Sequence, residues 1–366
     1  MGFAQIIAKT WQENVLFSVM VELTYQCNLK CSFCYNDLGL KGTPLTVEEY
    51  FHFFEDLRDM EVMDLILTGG EPLAHPDFFA LGDKARELGF LVRIKSNGHT
   101  LRGRVAQRLK DEVDPFVIDL SLHGASAATH DRQTCRPGSF ERLMQNIPEL
   151  LDLGLRLKLN CTMTRWNAGE IEEMFAIADG FGIRLSINPF VSPRDDGDRS
   201  PLALEASREE KLALYRLAYE RAENRGSGSP SAPPELGRQA DDGVRPVAVD
   251  KSCGAGASHV TIDPFGNVLP CVQWRRPVGN LHDDSIRDIW ANSTGLDEVR
   301  GLSVEAKKRV ASQGPNAGMM SYCLGLADLH SGDPLAVYPS ATEKMTLLTE
   351  VETERARNRV SLPVVA

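Results

Sequence analysis

Short apolar runs recur along the first half of the chain, each closed by small or polar residues and followed by a stretch with helical spacing. Residues 17–23 read as the first strand. Residues 46–60 carry apolar positions near helical spacing behind a threonine, with Glu49 three residues on, which predicts a capped helix. A strand over 63–68 ends in Gly69-Gly70-Glu71-Pro72, and a helix near 77–89 follows. The strand at 91–95 ends in Ser96-Asn97-Gly98, and a helix near 101–112 leads to a strand at 116–121 before His123-Gly124. A helix at 139–153, a strand at 155–161, a helix at 169–180 and a strand at 183–188 complete the series. Residues 1–16 have a weak pattern and suggest a short strand or hairpin at the rim.

Strands alternating with helices imply βαβ units and a parallel sheet. Eight such units would close a barrel; six predict an open, partial (β/α)6 TIM-like barrel. Ligands of α/β folds gather at the carboxyl ends of strands. The segment 27–34, Gly69-Gly70-Glu71, Ser96-Asn97-Gly98 and 121–124 all follow strands, so they are expected to share one mouth.

Beyond the barrel, 205–223 reads as an amphipathic helix. Residues 225–246 are rich in Gly, Ser and Pro, the composition of a linker or long loop. A second unit opens at Cys253. The expected organisation is a leader (1–16), the barrel (17–224), the linker (225–249), a small C-terminal α/β unit (250–335) and a tail with a surface helix (336–366).

A hydrophobic fraction of 42% with 25% charged residues is ordinary for a soluble protein of 366 residues. The net charge of −11 argues against nucleic acid as the main partner. There is neither a signal-peptide pattern nor an eighteen-residue apolar run, so no membrane span is expected. Eight cysteines are too few for a disulfide scaffold in a chain of this length. A reducing, cytoplasmic setting follows, where clustered cysteines favour metal.

Cys27, Cys31 and Cys34 form the pattern C-x3-C-x2-C in a strand-end loop. Thiolates at this spacing can converge on one soft metal centre, and three of them leave one iron of a four-iron cluster open. A structural zinc wants four ligands, and no fourth Cys or His lies nearby. A Cys31–Cys34 redox pair leaves Cys27 unexplained.

The segment CNLKCSFCYN, with Phe33 just before the third cysteine, resembles the motif of the radical S-adenosylmethionine (SAM) enzymes. The resemblance implies a SAM-binding [4Fe-4S] cluster on Cys27, Cys31 and Cys34, with Phe33 beside the cofactor. It implies SAM contacts at Gly69, Gly70 and Glu71, whose family counterparts hydrogen-bond the methionine amino group, and at Ser96 and Ser121. Asn97 is a further polar group suited to the ribose or the SAM carboxylate. The bare residues also allow a glycine turn with an exposed Glu71, and serines that serve as helix caps. Arg132 and Arg136 are candidates for the SAM carboxylate. His123 stands where related enzymes often carry an aspartate, so it is either a base, a substrate contact or a structural histidine.

Cys253 opens a Gly-rich loop, and residues 261–271 read as a β-hairpin turning at Phe265-Gly266-Asn267. With Cys271, Gly279-Asn280-Leu281, a helix ending at Trp290, and Cys323, this half resembles the SPASM/Twitch auxiliary-cluster domains, in the shorter Twitch-like form. The resemblance implies an auxiliary [4Fe-4S] cluster on Cys253, Cys271 and Cys323. Its fourth ligand is open, with Cys135 as one candidate. Scattered thiols, or a zinc site with His259, are the alternatives; Cys161, inside a strand, reads as a buried small hydrophobe.

The implied reaction is reductive cleavage of SAM to a 5′-deoxyadenosyl radical and hydrogen abstraction from a ribosomally made peptide. A low-potential donor of the flavodoxin or ferredoxin type is expected, and a separate leader-peptide-binding protein. A small-molecule substrate, such as a tetrapyrrole or an aminoglycoside-like alcohol, is the second reading. A non-catalytic iron–sulfur redox sensor is the third.

Overall fold

The computed structural model describes residues 3–37, 39–224, 249–314 and 316–360. Helix α1 (Phe3–Glu13) leads into β1 (Ser18–Glu22). Five crossovers follow: α2 (Val47–Asp59) to β2 (Asp64–Thr68), α3 (Phe78–Glu87) to β3 (Leu91–Ser96), and α4 (Arg104–Arg108) to β4 (Val117–Ser121). Then α5 (Ala127–Thr134) and α6 (Ser139–Asp152) lead to β5 (Leu157–Thr162), and α7 (Ile171–Gly180) to β6 (Arg184–Asn188). Helix α8 (Arg208–Asn224) ends this half. The second half contains β7 (His259–Ile262), β8 (Asn267–Leu269), β9 (Gly279–Asn280), α9 (Ile286–Asn292), α10 (Thr294–Ala311), α11 (Leu324–Ser331) and α12 (Pro339–Val360).

The sheet order is β6-β5-β4-β3-β2-β1-β7-β8-β9, with β1 to β6 all parallel. The sheet is the expected open barrel, with β6 and β9 as its ends. Alternate strand residues, among them Val19, Leu65, Ile94, Leu120, Leu159 and Ile187, face the helices and form the main core. The opposite face is largely polar and lines the inside of the barrel.

Strand β7 pairs in parallel with β1, Ser18 opposite His259, and β8 then turns back on β7. The C-terminal cysteine unit therefore grows from the barrel's own sheet. The Gly-, Ser- and Pro-rich segment read as a linker lies outside the described residues, apart from Val249.

Three expectations differ. The leader forms α1, not a strand or hairpin, and docks on the second half, where Lys251 Nζ donates to Trp11 O at 2.7 Å. Its run of Ala, Gln, Lys and Glu suits a helix, and it lacks the alternation a strand needs. Helix α5 was not expected because it has no apolar stripe. Ser126 caps it, and Glu170 fastens its start by accepting from Ala125 N at 2.7 Å and Thr129 Oγ1 at 2.5 Å. The tail helix α12 is not superficial. It buries Leu347, Leu348 and Val351, and its Glu343 accepts from the buried Lys211 of α8 at 2.9 Å. Helix α2, by contrast, starts in the capping box read from Thr46 and Glu49.

Candidate active site

The exit of β2 is zipped onto the exit of β1. Gly70 N donates to Thr24 O at 2.7 Å and Glu71 N to Gln26 O at 2.9 Å. A Cβ on Gly69, whose φ is +143°, would stand 2.3 Å from Thr24 O, and one on Gly70 would stand 2.6 Å from Gln26 O. Both glycines are required because two backbones meet there. The bare backbone of the two glycines thus seats the cysteine loop. The loop's other side rests on α5, through Lys30 N to Thr134 O (3.2 Å) and Ser32 N to Gln133 O (2.9 Å).

Cys27, Cys31 and Cys34 are half-buried on this loop. Leu29 N donates to Cys27 Sγ at 3.4 Å, and Asn97 Nδ2 lies 3.9 Å from the same sulfur and 2.7 Å from Asn28 Oδ1. Burial pushes the Cys31 thiol well up, and the nearby Cys34 and Cys27 push it further. Three crowded thiols that resist ionisation by themselves are a donor set suited to a cationic iron core, which favours the thiolates. Among the described residues no three His, Cys, Asp or Glu side chains stand at the separation that would hold a single ion.

Glu71 is not at the mouth as an open acceptor. It is 1% exposed and accepts from Ser96 Oγ at 2.8 Å, Asn97 N at 2.9 Å and Leu73 N at 3.4 Å. Burial pushes its carboxyl up to about 7, against the pull of those donors. Ser96 is buried with it and also accepts from Gly98 N at 3.0 Å. The pair acts as an internal brace that sets Asn97 against the cysteine loop. Ser121 is half-buried on the inner face of β4, opposite Asn160 of β5.

Phe33 packs edge-on against His123, with ring centroids 4.6 Å apart. His123 is buried, and burial lowers its pKa to about 3, with the neighbouring His130 adding to the effect. Its Nδ1 accepts from Thr162 N at 3.4 Å. Arg132 stacks over Trp166 at 4.0 Å, and Arg136 is exposed.

The C-terminal cysteines come from three distant segments. Cys253 N donates to Ser303 Oγ at 3.4 Å, and Cys323 N to Tyr338 Oη at 3.0 Å. Gly325 lies where a Cβ would stand 2.2 Å from Gln273 O, so its bare backbone lets the start of α11 close onto the Cys271 turn. Burial pushes the Cys271 thiol far up, followed by the proximity of Cys323 and Cys253; the Cys323 thiol rises to about 11. This is again a donor set that suits a cationic cluster. Cys135 is not part of it: it ends α5 beside Cys31. His259 is not part of it either, since it sits on β7 near Lys95, with its pKa lowered by burial to about 4. Cys161 is buried in β5, as expected.

A network that the sequence did not suggest joins the two cysteine groups. Arg275 donates to both oxygens of Glu22, at 2.7 and 2.8 Å, and to Asp195 Oδ2 at 2.8 Å; Tyr25 Oη donates to Glu22 at 3.1 Å. Beside this clamp, Tyr35 packs on an apolar cluster of Met20, Ile66 and Val272. The residue after Cys34 and the residue after Cys271 thus share one patch. A charged Glu22 inside the apolar run 17–23 was the only visible signal.

An open parallel barrel with a cysteine loop at its mouth and a second cysteine group grown from β7 defines an iron–sulfur enzyme scaffold. Residues 21–178 match the radical SAM superfamily model, and residues 253–323 match the model of an iron–sulfur cluster-binding domain, SPASM. The chain is 28% identical over 291 residues to the AdoMet-dependent heme synthase of Methanosarcina barkeri, spanning 76% of this chain and 83% of that protein. It is 30% identical over 285 residues to the mycofactocin maturase MftC of Mycobacterium ulcerans, spanning 76% and 75%. The structure of Streptococcus suis SuiB bound to its precursor peptide SuiA superposes with a TM-score of 0.66 at 16% identity, covering 92% of this chain and 78% of that one. The chain belongs to the radical SAM superfamily and carries a SPASM domain. It is a SAM-dependent iron–sulfur enzyme. Among the described residues no helix is long and apolar enough to cross a membrane.

Proposed function

We propose that this enzyme is a peptide maturase in which Cys27, Cys31 and Cys34 ligate the cluster that meets SAM, and Cys253, Cys271 and Cys323 ligate an auxiliary cluster. The observation that carries the reading is the joining of the two cysteine groups at one end of the sheet, through the Arg275 clamp and the patch of Tyr35 and Val272. When bound, the first cluster supplies the electron that splits SAM into methionine and a 5′-deoxyadenosyl radical, which takes hydrogen from the substrate. The chain's own residues hold and shield. Leu29 N and Asn97 hydrogen-bond to the Cys27 sulfur, and Glu71 and Ser96 fix Asn97 in place. Phe33, on His123, walls the loop against water.

The similarity to a peptide maturase and to a peptide-bound structure supports a peptide substrate. A flavodoxin or ferredoxin-type donor, a separate leader-peptide-binding protein and a reducing, cytoplasmic compartment complete the proposal. The heme synthase relative favours a tetrapyrrole as the second reading.

The test is anaerobic reconstitution, reduction with SAM, and assay of 5′-deoxyadenosine with a short peptide encoded beside the gene, or with a tetrapyrrole. A mass change in the peptide is expected. A mass change in the tetrapyrrole alone would move the enzyme to the second reading. Absence of deoxyadenosine from fully loaded protein would leave the sensor.

A further inference from the structure

The inside of the barrel carries a row of charges that the reading above leaves unused. Lys95 of β3 lies opposite Asp119 of β4, Asp119 opposite Lys158 of β5, and Lys158 opposite Arg184 of β6. Arg93 stands one pleat earlier on β3. Asp119 takes a hydrogen bond from Asn160 Nδ2 at 3.0 Å, but the cations only approach it: Arg93 at 3.6 Å, Lys158 at 3.9 Å and Lys95 at 4.0 Å. Its Oδ2 is buried without a hydrogen bond.

Three cations, Arg93, Lys95 and Lys158, thus face Asp119 and Asp64, and Asp64 is itself engaged by Ser18 Oγ at 2.9 Å and by Arg93 at 3.8 Å. Glu22, on the neighbouring strand, is fully engaged by Arg275. His259 is neutral. A surplus of positive charge therefore lies inside an otherwise acidic protein of net charge −11. Lys95, on the inner face of β3, keeps 38% of its side-chain surface open although strands flank it on both sides. Burial lowers the pKa of Lys95 against the pull of Asp119, so its ammonium gains from an added anion. Two residues further along the same face, about 7 Å away, Asn97 touches the Cys27 sulfur.

We infer that Lys95 and Lys158, flanking Asp119, form a substrate-carboxylate site that holds an acidic side chain or a terminal carboxylate below the cysteine loop. This deepens the peptide reading by naming what the substrate must carry near its reacting carbon, and it rests on that reading only for the word peptide. Asp119 keeps the two cations apart and sets the affinity low enough for release.

The test uses the reconstituted, SAM-loaded enzyme and four probes: N-acetyl-glutamate amide against N-acetyl-glutamine amide for a side chain, and N-acetyl-leucine against its amide for a chain end. Calorimetric titration should show one acid bound about tenfold tighter than its neutral partner, roughly 1.4 kcal/mol. The pair that discriminates identifies the source of the carboxylate. Lys95→Met and Lys158→Met should each reduce the ratio to near unity while SAM affinity stays the same. Asp119→Asn, which leaves both lysines in place, should tighten the acid further; an ion network that is merely structural predicts no such gain. Equal affinity for acids and amides in the wild type would overturn the inference, even if a peptide is modified. Loss of SAM affinity in the lysine variants, with acid preference unchanged, would overturn it too. Acid preference without peptide turnover would sustain the site and remove the peptide.

Discussion

The two cysteine groups are built in opposite ways. Cys27, Cys31 and Cys34 fall within eight residues on one strand-end loop, so local chain geometry already gathers them. Cys253, Cys271 and Cys323 span seventy residues and meet only because β7 and β8 fold back, Ser303 and Tyr338 hold two of the backbones, and Gly325 admits Gln273. The first group needs a loop, whereas the second needs a finished domain. A site of the second kind is more exposed to damage far from its own ligands.

The largest effect should come from the proposed ligands themselves. Replacing Cys27, Cys31 and Cys34 with alanine should lower iron from about eight to about four per chain and abolish 5′-deoxyadenosine. Replacing Cys253, Cys271 and Cys323 should remove a similar amount of iron but spare SAM cleavage and lose only the modified product. If both variants lost SAM cleavage equally, the comparison would break.

Arg275→Ala cuts the clamp shared by the two regions. It strands Glu22, which is fully buried, together with Asp195, and should cost about 3–5 kcal/mol in denaturant unfolding. Lysine should restore little of this, because it cannot bond Glu22 through two parallel donors while also reaching Asp195.

Gly325→Ala and Gly70→Ala then separate the regions by backbone alone. Each methyl would meet a carbonyl oxygen, at 2.2 Å and 2.6 Å respectively, at a cost of about 1–3 kcal/mol. Iron and deoxyadenosine assays should show Gly325→Ala depleting the auxiliary cluster and Gly70→Ala suppressing SAM cleavage.

The smallest effect is a pH-dependent latch. His282 of the second half donates to Thr43 O at 3.0 Å and pairs with Glu49 Oε1 at 2.6 Å, and both contacts raise its pKa above 6.5. A raised histidine pKa means stability that is complete below pH 6.5 and is lost as pH rises through the raised value. His282→Gln should remove about 0.2–1 kcal/mol at pH 6 and almost nothing at pH 9, read from unfolding midpoints.

Much of the barrel was legible because each strand and helix announces itself within a dozen residues. Alternation with helical spacing located all six parallel strands to within a residue or two, and the capping box of α2 was visible in Thr46 and Glu49. Helix α5 was not legible, since its hold comes from Glu170, some forty residues away. For the tail helix the error was one of environment: its composition is polar, and the apolar stripe of Leu347, Leu348 and Val351 shows only against α8. The same limit applied to the polar site residues. The resemblance places SAM contacts on Glu71 and Ser96, and what the fold adds is that these two side chains also bond each other.

The amino-acid order by itself determined the βα alternation, the clustered thiols of the first loop and the separation of three further cysteines into the second half. Those features are set by short-range spacing, which survives without any long-range contact. Only the tertiary structure decided that β7 would join β1, that Arg275 would reach Glu22 across more than 250 residues, and that Lys95, Asp119 and Lys158 would stand in one row. Sheet register and burial set those neighbours, and both belong to the assembled sheet, not to any segment of it.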